Sequence, residues 1–182
     1  MIFKFKWFFS SLIMMLFCKR IGFPSYFSFP IFFTGMRKVS IGKKTRIFPG
    51  SRFEVHGCGV IEIGDNVGIG QNFHITSASQ LIIGSGTVIS GNVFITNINH
   101  EYRDIQVPIM EQGILIKETS IGENCFIGFA AAIQAGTKLG NHCIVGANSV
   151  VCGDFPDYCV IVGAPAKIVK VYNKEKNEWE RV

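Results

Sequence analysis

Among the side chains that could do chemistry near neutral pH, His100 stands in an unusual place. It lies in "NINHEYRDIQVPIMEQG", Asn97 to Gly113, where a strict beat of six residues stops for about twenty residues and then resumes. Imidazole is the side chain whose ordinary titration straddles neutrality. It can take a proton from a hydroxyl as that oxygen attacks a carbonyl, then return it to the leaving group. On the residues alone, His100 is either such a base or a loop histidine with a structural hydrogen bond. His56, His74 and His142 fall at corners of the beat or point outward, and read as structural or solvated. The six cysteines contain no CxxC pair and no zinc-like Cys/His spacing, so no metal is expected. Cys125 and Cys143 occupy equivalent points of the repeat and read as small apolar fillers with reduced thiols.

The beat is carried by Ile41, Ile47 and Phe53, then Ile63, Ile69 and Ile75, then Ile83, Ile89 and Ile95. After the break come Ile121, Ile127, Ile133, Leu139, Val145 and Val151. A fixed internal period means a solenoid. A small or β-branched residue lies two positions before each aliphatic, as Cys125 before Ile127, so both point inward from one strand. The residues between strands, in "IGDNV", "IGENC" and "LGNHC", are Gly, Asn and Asp, which tolerate turns. Three such sides close one coil, and coils stack as parallel strands about 4.8 Å apart. A helix would need a period near 3.6. The break, about residues 97–118, is therefore a loop extruded from an all-β solenoid. Beside a flat face such a loop makes a wall, and hence a cleft.

The front of the chain differs. Ten of the 18 basic residues precede Glu54, the first acidic one, and 12 of 23 aromatics lie in the first 33 residues. The run "WFFSSLIMMLF", Trp7 to Phe17, is flanked by Lys4, Lys6, Lys19 and Arg20. It is too short to span a bilayer, which takes about 20 residues. Residues 1–38 are therefore expected to be a hydrophobic, basic membrane-associating segment, or else a cap or a trimer contact. Residues 39–165 are the expected β-helix and 166–182 a tail. The expected location is cytoplasmic, peripheral on the inner face of the cytoplasmic membrane. The cations flank apolar runs instead of lining a polar face, which argues against nucleic acid.

From about Val39 to Val171 the hexads resemble the hexapeptide-repeat acyltransferases. The loop opened by "NINH" and the closing "VGAPAKIVK", Val162 to Lys170, resemble those of its sugar O-acetyltransferases, of the galactoside, maltose and polysaccharide-tailoring kinds. The resemblance implies a left-handed parallel β-helix, a homotrimer, and transfer from acetyl-CoA to a sugar hydroxyl with His100 as base. It places acetyl-CoA between subunits, against Phe126, Phe129, Ala147, Cys152 and Gly153, with Lys167 and Lys170 toward the nucleotide phosphates. Two positions depart from the galactoside pattern: Gly153 stands where Lys is common, and Cys152 replaces a hydroxyl residue. The family's sugar-contacting N-terminal segment is replaced here by the apolar one, which favours a lipid-linked or surface polysaccharide precursor as acceptor. N-acetylation of an amino sugar and a non-enzymatic scaffold remain open. The γ-type carbonic anhydrases share such a coil but carry two zinc histidines about five residues apart, and no two histidines here are closer than eighteen.

Overall fold

The structure is a computed structural model. It describes residues 2–182; Met1 and the side chains of residues 2–4, Lys4 among them, lie outside the described residues. The chain winds into a three-faced solenoid of parallel strands. Face A stacks seven strands, from Arg20–Ile21 to Asp154–Phe155. Face B stacks Tyr26–Phe27 through Cys159–Gly163 and then adds Ala166–Asn173 and Glu178–Arg181 antiparallel, nine strands in all. Face C stacks six, from Phe32–Thr34 to Val150–Val151.

The beat of six is visible as ladders. Ile41, Ile63, Ile83, Ile121 and Leu139 lie in register along face A, and Ile47, Ile69, Ile89, Ile127 and Val145 along face B. All are buried. The residue two positions earlier is small because it also points inward and faces a corner. Thr45 donates to the Gly64 carbonyl at 2.9 Å, Thr87 to Gly122 at 3.0 Å, and Cys125 to Gly140 at 3.2 Å. A hydroxyl or thiol there ties each coil to the next while filling the core. Cys143 and Cys159 continue the column with sulfurs 3.5 Å apart, and all six cysteines are free thiols. Glycine at the neighbouring corner is a steric demand. A Cβ on Gly84 would lie 2.5 Å from the carbonyl carbon of Gly122 on the next coil.

The coils begin earlier than the expected boundary at Val39. Arg20–Ile21, Tyr26–Phe27 and Phe32–Thr34 pair with the strands of residues 39–55 and form a complete first coil. Its inward residues on faces B and C are Phe27 and Phe33, so aromatics replace the aliphatics that mark the beat elsewhere. Ahead of this first coil, helix α1, Ile2–Met14, stands outside the stack. Its Ser11 is buried against the first coil: the hydroxyl donates to the Ser25 carbonyl at 3.1 Å and accepts from the Phe27 amide at 2.6 Å. Met14 is fully buried beside it. The expected tail is also sheet. Ala166–Asn173 folds back on face B and buries parts of Ile168 and Val171 against the core.

Candidate functional site

The extruded loop opens as a short antiparallel ladder, Ile98–His100 against Ile114–Ile116. The solenoid does not notice it. Face A strand Gln80–Ile83 pairs directly with Thr119–Ile121 across the excursion. Asn97, fully buried, is the rivet at the base. Its amide donates to Ser77 Oγ at 3.1 Å and Ser79 Oγ at 3.0 Å, and its Oδ1 accepts from the Ala78 amide at 2.8 Å. Its carbonyl accepts from Lys117 at 3.0 Å, and Thr119 Oγ1 donates to the Thr96 carbonyl at 2.9 Å, so both loop ends are tied to one spot.

The rest of the loop holds itself. Gln112 donates to the carbonyls of Asp104 and Val107 at 2.9 and 2.7 Å. Glu101 accepts the amides of Tyr102 and Arg103, and these bonds, with the Arg103 charge, hold its carboxyl below its usual range. Asp104 accepts the Gln106 amide at 2.9 Å. The two carboxylates nearest His100 in sequence, Glu101 and Asp104, are thus engaged within the loop. Among the described residues none forms a hydrogen bond with the His100 ring, whose backbone amide is held by Asn99 Oδ1 at 2.9 Å. The ring is exposed.

His100 opens into a cleft of about 360 Å³ on face C, lined also by His56, Thr76, Phe94, Thr96 and Gln134. His56 was expected to be bland, yet it faces the same cleft as His100. Beside it Glu54 gathers a network. Its Oε1 lies 2.6 Å from Arg52 Nε and 2.8 Å from His74 Nε2, and its Oε2 lies 3.8 Å from His56 Nε2. Burial alone would raise the Glu54 carboxyl, but the hydrogen bonds from Arg52 and His74, and their charges, hold it below its usual range. The His74 ring packs on Phe94, centroids 5.0 Å apart. His142 sits at a corner with φ 55° and stacks on Tyr158 at 5.1 Å, far from this network in the coil order. The sequence held one signal for His56. Every step that exceeds six, from Phe53 to Ile63, Ile75 to Ile83 and Ile95 to Ile121, falls at the corner between faces C and A. His56 and His100 both ride on that lengthened corner.

The other expected site residues fall into two groups. Cys152 and Gly153 follow strand Val150–Val151 at the C/A corner, near Gln134 and therefore on the His100 side. Phe129 and Ala147 lie at the B/C corner, exposed, with the Phe129 ring over Gly91. Phe126 projects from face B in register with Val88 and Ile144, and Ile144 with Val160. Lys170 pairs with Val160 and follows it in this row, with Arg181 next, and Lys167 pairs with Val162 beside it. The ladder slips between Val160 and Ile161, leaving Val169 as the extra residue. That bulge puts two lysines three residues apart on one outer side, where a regular strand would oppose them. The single chain therefore presents an apolar strip ending in two cations on one side and His100 on another, with face C between. Among the described residues no group of three or more His, Cys, Asp or Glu is placed to hold a metal ion.

Comparison with known proteins joins these observations. A family model described as bacterial transferase hexapeptide (six repeats) matches residues 118–153. A protein of Escherichia coli K12 named for lipopolysaccharide biosynthesis O-acetyl transfer, WbbJ, is 36% identical over 171 residues, covering 90% of this chain and 84% of its own. Among solved structures, AntD, an N-acyltransferase of Bacillus cereus held with dTDP and 3-hydroxybutyryl-CoA, superposes with TM-score 0.80 at 15% identity, covering 94% of this chain and 92% of its own. A galactoside acetyltransferase in complex with coenzyme A gives TM-score 0.64 at 18% identity, covering 91% and 71%. With a long coil stack, a single extruded loop and a relative of this identity over nearly its full length, the chain belongs to the hexapeptide-repeat acetyltransferases, and its fold is their left-handed parallel β-helix.

Proposed function

We propose that the protein transfers an acetyl group from acetyl-CoA to a sugar hydroxyl of a lipid-linked or surface polysaccharide precursor. The observation that carries this reading is His100 at the mouth of the face C cleft, on a loop riveted by Asn97. The acceptor hydroxyl sits between His100 and the Glu54–His56–His74 network, where fixed planar polar groups suit a polyhydroxyl ligand. The His100 ring takes the hydroxyl proton as the oxygen attacks the thioester carbonyl. The tetrahedral intermediate collapses, the C–S bond breaks, and the proton passes to the CoA thiolate. The name of the Escherichia coli relative, for lipopolysaccharide O-acetyl transfer, supports the substrate class. The test is CoA release against a panel of free and lipid-linked sugars. Turnover with hydroxyl acceptors is expected; turnover only with amino sugars would move the reaction to N-acetylation.

The division of the candidate donor residues supports a homotrimer. Phe126, Phe129, Ala147, Lys167 and Lys170 lie away from His100 on the same chain, so the apolar strip of one subunit and the His100 corner of the next would complete a site between them. Light scattering is expected to give a trimer, and a monomer with full turnover would overturn this.

Membrane contact is supported by helix α1. Ser11 and Met14 face the solenoid, while Phe5, Phe9 and Leu16, which are 67%, 58% and 70% exposed, form a stripe on the opposite side with Leu12 and Ile13. Among the described residues no helix is long and apolar enough to cross a membrane. The fit is a helix lying in the interface, with Lys6, Lys19 and Arg20 toward the headgroups. Replacing Phe5, Phe9 and Leu16 by Ser is expected to lower binding to anionic liposomes by on the order of 10³-fold or more, since each buried apolar side chain contributes about 1.5–3 kcal/mol. Acetyl-CoA binding should be unchanged. Undiminished flotation of the variant would remove α1 from the membrane.

A further inference from the structure

A second concavity, of about 430 Å³, lies where α1 meets face B, far along the coil stack from His100. Its walls are aromatic and its rim is cationic: Trp7, Tyr26 and Phe48 enclose it, with Lys44, Arg46 and Asn66 at the edge. It is built from pinned parts. Trp7 packs edge-on to Phe48 with centroids 5.0 Å apart, and its carbonyl lies 2.8 Å from the hydroxyl of Ser11, sharing that proton with the Ser25 carbonyl; Ser11 is the residue that fastens α1 to the first coil. Tyr26 and Arg46 are register partners on neighbouring strands of face B. Lys44 holds a left-handed corner, φ 58°, with its amide on the Pro24 carbonyl at 2.6 Å. Arg46 Nη2 donates to Asn66 Oδ1 at 3.0 Å, which aims the guanidinium without neutralising it. The ion pairs among the described residues include neither Lys44 nor Arg46.

We propose that this pocket binds the phosphate headgroup of an anionic membrane lipid, with Lys44 and Arg46 on the phosphate and Trp7 and Tyr26 at the level of the glycerol and upper acyl chain. The proposal rests on the membrane reading of α1. Two cations without carboxylate partners, fixed beside an apolar wall, match a ligand that is anionic at one end and apolar at the other. Trp and Tyr favour the same interfacial depth, because each joins an apolar ring to a polar tip. The stripe of Phe5 and Phe9 on α1, with Leu16 in the turn that follows, points away from the solenoid on the side opposite Trp7, so a bilayer met by the stripe comes to the edge of the pocket. A free nucleotide is the weaker fit. The sole neutral amide at the rim, Asn66, is already engaged by Arg46, which leaves little to read a base.

The test uses the full chain with Trp179→Phe, so that Trp7 is the one tryptophan of the two that remains. The probes are phosphatidylcholine vesicles with and without phosphatidylglycerol, and inorganic phosphate and glycerol 3-phosphate in solution. Phosphatidylglycerol vesicles are expected to shift Trp7 emission to the blue. Any cation near an anionic surface contributes about fivefold to binding, so an equal charge change elsewhere is the control. Lys44→Gln with Arg46→Gln is expected to weaken vesicle binding well beyond the roughly 30-fold expected for Lys19→Gln with Arg20→Gln. All four side chains are exposed, and none is part of the proposed transfer site. Equal losses for the two pairs, or an unmoved Trp7 emission in vesicle-bound protein, overturn the pocket while leaving the membrane reading of α1 intact. Vesicle binding by neither wild type nor variants removes the membrane reading. In that case a Trp7 response to soluble phosphate overturns the lipid assignment in favour of a soluble anion, and no response to any probe overturns the site itself.

Discussion

Replacing His100 by alanine is expected to lower kcat by about 10²–10⁴, the usual contribution of a positioned general base. Folding should be unaffected, because the ring is exposed and among the described residues no side chain depends on it. A thermal melt of the variant is therefore the internal control. Acetyl-CoA affinity should barely change, since the strip from Phe126 to Lys170 lies on another side of the coil. Lys167→Ala should show the opposite split. On the proposed assignment its charge would meet the nucleotide end of the donor equally in ground and transition states, so the KM for acetyl-CoA is expected to rise while kcat stays nearly constant. His56→Gln tests the acceptor side. It is expected to raise the acceptor KM while leaving that for acetyl-CoA alone. If His100→Ala turns over at the wild-type rate with both substrates saturating, the proton goes elsewhere and the loop is only a wall.

The parts of the fold that could be read from the sequence were those in which each residue has one job. Ile63, Ile69 and Ile75 fill the inside of three successive faces, and nothing else competes for those positions. The first coil escaped because two demands overlap there. Phe27 and Phe33 must fill the coil's interior where α1 caps it, so large rings stand where the beat would show Ile, and Pro24 and Pro30 occupy its turns. The same overlap made residues 1–38 read as one apolar segment, when residues 20–34 supply the first coil and α1 packs outside it. At the candidate site, His100 was legible because a break in a repeat is a local event. The Glu54 network was not. Its members are brought together by stacking of neighbouring coils, and Glu54 and His74 are 20 residues apart in the chain. Nor was the bulge at Val169, which decides that Lys167 and Lys170 share a side, because it is set by pairing with Val160 and Ile161 and not by any residue type within "APAKIVK".

The second large effect is expected in the core. Phe53→Ala should destabilise the protein by about 3–5 kcal/mol, read by denaturant unfolding. Phe53 is fully buried on face C, between Phe27 at 5.4 Å and Phe73 at 6.0 Å between ring centroids, both in tilted or edge-on contact. The three rings come one from each of the first three coils, and truncating the middle one leaves a void that a stacked backbone cannot collapse to fill. The strands on either side are hydrogen-bonded to their neighbours at fixed spacing, with Arg52 and Glu54 of the same strand paired to His74 and Thr76. Phe126→Ala removes the same side chain from an exposed position on face B and is expected to cost less than about 1 kcal/mol. The two phenylalanines should thus exchange phenotypes: Phe53→Ala loses stability, and Phe126→Ala loses acetyl-CoA affinity. In a solenoid each coil is stabilised mainly by its neighbours, so the damage from Phe53→Ala should concentrate at the N-terminal end. Hydrogen exchange should rise in residues 20–76 while the coils from Ile121 to Val151 stay protected. A cost near that of Phe126→Ala, or protection lost evenly along the stack, would mean that the aromatic column is not what fastens α1 and the first coil to the rest.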